Sequence, residues 1–140
     1  MEAPELEAAA TRLRAAGLRM TEGRRQLLGL FAGLGRWCTP QELYGAAEQA
    51  GLHPGLATVY RLIEALVETG LCKPFIQRDR TVRYVFCPPR HHHHLICEAC
   101  GRVADLAECR LVLPSSEFAI REHAVDFFGL CGACRAVPAP

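Results

Sequence analysis

The sequence predicts an α+β chain in two parts, a helical N-terminal part closed by a β-hairpin and a smaller Cys/His-rich C-terminal part. Three observations predict this. Apolar residues recur with a period near 3.6 up to Gly70 and then with a period of 2 through Phe86. Pro88-Pro89 follows, a stretch that neither a helix interior nor a central strand accepts. Beyond it the composition changes: four consecutive histidines, His91 to His94, precede two C-x-x-C pairs.

The first helix is expected from Glu5 to Ala16, with Leu6, Ala9, Ala10 and Leu13 on one face and Gly17 as its stop. Thr21 to Leu34 repeats the pattern with Leu27, Leu28 and Phe31. The start of the third helix is the clearest signal in the chain. Thr39 can cap, Pro40 is preset for the first helical position, and Glu42 can return a hydrogen bond to the cap backbone; Gly51 ends the helix. In "GLATVYRLIEALVETG", Val59, Leu62, Ile63, Leu66 and Val67 form a buried stripe closing at Gly70, and Ala57, Tyr60, Arg61 and Glu64 lie off it. "CKPFIQ" and "TVRYVF" then flank "RDR", as two strands flank a turn.

Helices followed by such a hairpin make a winged helix-turn-helix, placed at residues 1–87, with a hinge at 88–90 and a second domain at 91–140. In the second domain short strands are expected at His94 to Ile96, Arg102 to Leu106 and Ala124 to Leu130, with a short helix from Ser116 to Glu122.

At 140 residues, half of them hydrophobic, the chain has room for one domain or two small ones. Its net charge of +1 hides an asymmetry. Up to Arg90 there are 12 basic and 9 acidic residues (+3), and beyond it 4 and 6 (−2). A basic front and an acidic, Cys/His-rich rear suit one lobe that meets a polyanion and another that holds cations. "MEAPELEAAATRLRAAG" lacks the basic start and apolar run of an export signal, and no run of about 20 apolar residues occurs, so a cytoplasmic chain with reduced cysteines and no membrane partner is expected.

Cys97-Glu-Ala-Cys100 and Cys131-Gly-Ala-Cys134 are matched knuckles, and four converging thiolates suit a closed, structural zinc site. Two disulfides or buried free thiols are the alternative, one that a reducing compartment opposes. If "HHHHLI" is extended, His92 and His94 face one side and His91 and His93 the other, so one strand can feed two metal sites. Cys87 lies five residues before His92, and Asp105 lies just after the first knuckle. A mixed sulfur, nitrogen and oxygen set of this kind suits zinc better than iron, manganese or nickel. A solvated polar run is the bland reading. Neither H-E-x-x-H nor the deaminase pattern H-x-E with P-C-x-x-C occurs, so no catalytic zinc and no enzyme are expected. Cys38, Cys72 and Cys109 are expected to be packing thiols, with a redox sensor as the alternative.

"GLATVYRLIEALVETGL", H-H-x-H-L-x-C-x-x-C-G and the closing C-x-x-C together resemble the ferric uptake regulator family of bacterial metal-sensing repressors, over about residues 10 to 134. The resemblance implies a homodimer with a winged-helix DNA-binding domain, a hinge, and a C-terminal α/β dimerisation domain, in which hinge metal closes the DNA-binding lobes onto a palindromic double-stranded operator. It implies a structural zinc at Cys97, Cys100, Cys131 and Cys134. His92 and His94 match the hinge sensor, and Cys87 matches the thiolate that zinc uptake regulators place there. His91, His93 and His123 match a third site. Tyr60 and Arg61 match base-contacting residues beside Ala57 and Thr58 on the recognition helix, and Arg19 matches a basic residue inserted into the minor groove.

The chain departs from the family in three places. Trp37 stands where iron-, peroxide- and nickel-sensing members commonly carry a histidine. Lys73 stands where some zinc sensors carry an acid, which leaves Cys72 or Asp105 as a fourth sensor ligand. Val112 stands where the third site has its acidic ligand, for which Glu108 is the substitute. The sequence therefore points to a zinc-responsive repressor of metal uptake genes, with structural zinc and regulatory zinc or another divalent transition metal. The alternatives are an iron-, manganese- or peroxide-responsive member, or a metal-buffering or redox-switch protein that does not use DNA.

Overall fold

The structure is a computed structural model, and it describes residues 2–112 and 117–137. The chain divides into two compact units, Met1–Arg90 and His91–Pro140.

The first unit contains α1 (Ala3–Ala15), α2 (Glu22–Gly33), α3 (Pro40–Gln49), α4 (Leu56–Glu68), β1 (Cys72–Ile76) and β2 (Val82–Phe86). Local chemistry sets the helix ends. Thr39 accepts from the Glu42 N–H at 3.1 Å while the Glu42 carboxylate accepts from the Thr39 N–H at 2.8 Å, a complete capping box. α4 stops in a Schellman turn, where Gly70, at φ 72°, lets its own N–H reach Val67 O at 3.1 Å and the Leu71 N–H reach Leu66 O at 2.8 Å. A side chain at Gly70 would strain that left-handed turn, and the turn is what delivers the buried Leu71 to the core.

Leu13, Leu27, Leu28, Phe31, Leu43, Val59, Leu62, Leu66 and Leu71 fill that core. Each contributes about 1.5–3 kcal/mol by leaving water. β1 and β2 pair antiparallel from Cys72 opposite Phe86 to Ile76 opposite Val82, and Phe86 meets Phe31 edge-on with ring centroids 6.0 Å apart. An additional bridge, Cys38 with Tyr84, ties the loop before α3 to the hairpin through bonds of 3.1 and 2.8 Å. Because this hairpin and the loop are fastened to one core, α4 is held with Ala57, Tyr60 and Arg61 exposed.

The second unit has a three-stranded sheet in the order β4 (Val103–Leu106), β3 (His93–Cys97), β5 (Asp126–Gly129), followed by α5 (Gly132–Arg135). β3 pairs antiparallel with β4 and parallel with β5. Of the helix expected from Ser116 to Glu122, Ser116 lies outside the described residues, and residues 117–122 form bends and irregular backbone rather than a helix. The second unit departs from the first in its interior. Among its described residues the only buried hydrophobic side chains are Ile96 and Cys97, and the buried polar ones are His93 and His94. No helix of the described residues is long and apolar enough to cross a membrane.

Glu7 joins α1 to α2, accepting from Arg25 at 2.7 Å and Arg14 at 2.8 Å. The two guanidiniums, Arg25 first, draw its carboxyl down to about 2 from an ordinary 4.5. Since the folded value lies below the unfolded one, the stabilisation is present above about pH 4.5 and is lost as pH falls toward 2. Glu7→Gln should therefore lower the thermal midpoint of helix unfolding at pH 7. The gap between variant and parent should close as the pH is lowered through that window, and a gap independent of pH would contradict the assignment.

Candidate metal centres

The two knuckles converge at one end of the β3–β5 sheet. β3 ends at Cys97, Gly101 at φ 76° closes the first turn by donating its N–H to Cys97 O at 2.9 Å, and β5 runs into Cys131 at the start of α5. The four sulfurs of Cys97, Cys100, Cys131 and Cys134 lie within 4.8 Å of one another, with Cys100 and Cys131 3.8 Å apart. Four sulfurs held tetrahedrally at about 2.3 Å from zinc are about 3.8 Å apart, so the spacing fits the ion. It is too long for a disulfide, in which the sulfurs bond at about 2.05 Å.

The protons tell the same story. The Cys131 N–H donates to Cys97 Sγ at 3.3 Å, and this and further backbone N–H bonds pull the Cys97 thiol down to about 6. Cys131 is lowered as well, chiefly by the backbone of Cys134, while its sulfur neighbours, Cys131 first, push Cys134 up to about 12. Four thiolates cannot share this space unaided. A divalent cation removes the repulsion, and no open coordination position remains for chemistry.

The histidines form two sets, His93 and His94 opening β3 and His91 and His92 preceding it. On one side His92 and His94 bring their Nε2 atoms to 3.1 Å, and His94 Nδ1 lies 2.8 Å from Asp126 Oδ1 on β5. His94 is buried, and its pairing with Asp126 follows from the parallel register that sets the two residues side by side. A carboxylate on Nδ1 orients the ring and favours the tautomer whose Nε2 is the metal donor. Asp105 stands opposite His94 in the β4 register and is exposed, and Asp126 stands beside His94 in the β5 register. In the first unit Cys87 follows β2 as a buried thiol, its N–H donated to Leu71 O at 2.8 Å. Cys72 packs in the apolar core, where burial pushes its thiol up, and Cys38 is pushed up to about 12 in the same way.

On the other side His91 and His93 meet His123, with ring centroids 4.7 to 5.3 Å apart. Partial desolvation and the neighbouring His123 and His93 hold His91 below the ordinary histidine range, which favours the neutral ring that binds metal. His93 is 3% exposed, and neither of its ring nitrogens has a hydrogen-bond partner. An orphaned buried donor of this kind costs about 1–3 kcal/mol, a cost a metal ion would remove. Glu108 pairs with Arg110 at 3.0 Å, and it is Cys109 Sγ that lies 3.1 Å from His123 Nε2. Asp126 and Cys109 are the two residues that sequence reasoning missed. The signal for Asp126 was its place in β5, whereas Cys109 sits in a segment without periodicity.

On α4, Ala57 and Arg61 are exposed, Thr58 is half-buried, and Tyr60 is 37% exposed with its hydroxyl accepting from Gln41 Nε2 at 2.6 Å. Arg19 is exposed before α2, and its carbonyl accepts from Arg24 at 2.6 Å.

This combination of a helical, hairpin-closed unit and a metal-binding unit defines a class of metal-responsive regulator. Residues 15–127 match the ferric uptake regulator family, and the chain belongs to it. It is a metal-responsive transcriptional regulator by family and not an enzyme. It is 29% identical over 137 residues to the peroxide-responsive repressor PerR of Staphylococcus aureus strain Mu50, spanning 94% of this chain and 92% of that protein. Its fold is similar to that of the Helicobacter pylori ferric uptake regulator Fur, with a TM-score of 0.60 at 21% identity over 96% of each chain. It is also similar to a zinc-bound manganese uptake regulator, with a TM-score of 0.58 at 25% identity over 91% of this chain and 98% of that one.

Because the second unit buries so little apolar surface, metal binding at the four cysteines should supply much of its folding free energy. Cys97→Ser or Cys131→Ser should lose one zinc per chain and the slow amide exchange of β3 and β5, while the helical signal of the first unit persists. A zinc-free variant with native protection in β3 would overturn this.

Proposed function

We propose that this chain is a zinc-responsive transcriptional repressor that works as a homodimer in the cytoplasm and controls metal uptake genes through a palindromic duplex operator. The observation that carries the reading is the His92–His94 pair with Asp126 behind it, a set of nitrogen donors already oriented for a metal. Cys87, five residues earlier in the chain, adds a thiolate to this set, with Cys72 or Asp105 as the further donor. Imidazole and thiolate together favour zinc over manganese. Trp37 supports the same choice: it is buried against Phe75 at 6.3 Å and brings no donor where iron-, peroxide- and nickel-sensing members carry histidine.

On this reading Cys97, Cys100, Cys131 and Cys134 hold structural zinc, and His91, His93 and His123 belong to a third site, with Glu108 nearby. Metal bound by His92, His94 and Cys87 constrains the segment at 88–90 and so the presentation of α4. Ala57, Thr58, Tyr60 and Arg61 then read the major groove and Arg19 the minor groove. Exposed Leu95, Phe127 and Phe128 on the second unit's strands, with Leu130 just after β5, support a homodimer built there, since a lone sheet rarely leaves such side chains in water. The names of relatives keep a second reading in play, in which peroxide, iron or manganese is the signal.

The test begins by selecting duplexes from a random-sequence pool with zinc-loaded protein, then titrating binding against zinc, manganese and iron(II) and against salt. Zinc should give the tightest binding, with a salt slope from released counterions. Preference for manganese or iron would sink the zinc reading, and no enrichment would leave a metal buffer. On the selected duplex Arg61→Ala should weaken binding by about 1–3 kcal/mol, as for a lost base contact, and the exposed Arg110→Ala should do little. His92→Ala and His94→Ala should keep the four-cysteine zinc yet lose the response to added zinc; a normal response would mean that these histidines are a polar strand and nothing more.

A further inference from the structure

We propose that Cys109, rather than Glu108, completes a metal site with His91, His93 and His123, giving three imidazoles and one thiolate. The inference deepens the third site of the reading above by naming its fourth ligand and the class of ion that this ligand selects. One donor atom from each of the four residues lies within 4.8 Å of the other three. Cys109 Sγ stands 3.1 Å from His123 Nε2, close to the separation of two donors on one small ion. His93, 3% exposed with both ring nitrogens unpartnered, is turned toward the same group, its ring 4.9 Å from His91 and 5.3 Å from His123.

The backbone explains how a cysteine reaches this place. β3 pairs His93 with Leu106, the last residue of β4, and three residues later the chain arrives at Cys109 beside the histidines. Glu108 is committed elsewhere, with its carboxylate on Arg110 at 3.0 Å. The consequence is chemical. An acidic fourth ligand gives a nitrogen and oxygen set that manganese or iron(II) can occupy, whereas a thiolate moves the site toward zinc and cobalt(II). Three neutral imidazoles and one thiolate leave a divalent ion with a single net positive charge and a closed tetrahedral shell. Cys109 is exposed, unlike the core thiols Cys38 and Cys72, so metal is what would shield it from reagents.

Two readouts test this on the full-length protein with its four-cysteine site already holding zinc, and neither involves DNA. In the first, cobalt(II) is added to the parent, Cys109→Ser and Glu108→Gln proteins. The parent spectrum should show thiolate-to-cobalt charge transfer that is diminished in Cys109→Ser and retained in Glu108→Gln. The difference spectrum removes any signal from other cysteines. In the second, iodoacetamide labelling of the unmutated protein is followed by mass spectrometry. Zinc should slow alkylation of Cys109 by about tenfold or more, because a coordinated thiolate is a poor nucleophile. Unprotected Cys109 with an unchanged cobalt spectrum in Cys109→Ser would overturn the proposal. So would a spectrum altered by Glu108→Gln alone, which would give the ligand role to the carboxylate. A chain that fails to bind any operator would still give either answer here, so the two proposals fail separately.

Discussion

The second unit depends on one constraint: four sulfurs brought within 4.8 Å of one another cannot all ionise unless a cation joins them. The opposed shifts of Cys97 and Cys134 follow from that crowding. The rest of the unit hangs on those sulfurs, because β3 ends in one knuckle and β5 leads into the other. A domain of this size ordinarily relies on an apolar core, and among the described residues here the buried side chains are an isoleucine, a cysteine and two histidines. Ligand chemistry takes the place that packing holds in the first unit.

From that constraint follows the use made of β3. β3 sends His93 and His94 to opposite faces, and His91 and His92, in the irregular backbone just before the strand, meet them to give two pairs, His91 with His93 and His92 with His94. β5, parallel to it, sets Asp126 beside His94 and so makes one pair an oriented donor set. The other pair meets His123 and Cys109 from the long segment that joins β4 to β5. On the proposed reading, these two sets of donors with different ligands would let two metal functions be separated by ångström-scale geometry.

Much of the first unit was legible in the sequence because its signals are local. The Thr39 capping box, the glycine stop at Gly70, the Val59, Leu62, Ile63 and Leu66 stripe and the two hairpin strands on either side of their turn all follow from local patterns. The Cys38–Tyr84 bridge was not legible, since it joins residues 46 positions apart with no pattern marking either. In the second unit the knuckles and the alternation of histidines could be read, but the partners of those histidines could not. Asp126 comes to His94 through a parallel pairing that spans 32 residues, which no local pattern marks. Cys109 and Glu108 are adjacent, and only the tertiary path of an irregular segment decides which one faces His123. Of the helix expected from Ser116 to Glu122, the described residues 117–122 are irregular, since so short a span has little helical stability of its own.

The central claim is that β3 supplies ligands to metal on both of its faces in addition to ending in the four-cysteine site. Anomalous diffraction at the zinc edge, from crystals of the full chain grown with zinc, tests it most directly. The account predicts a peak at Cys97, Cys100, Cys131 and Cys134, a second against His92 and His94, and a third against His91, His93, His123 and Cys109. A single peak at the four cysteines, with both histidine pairs bare, would contradict it.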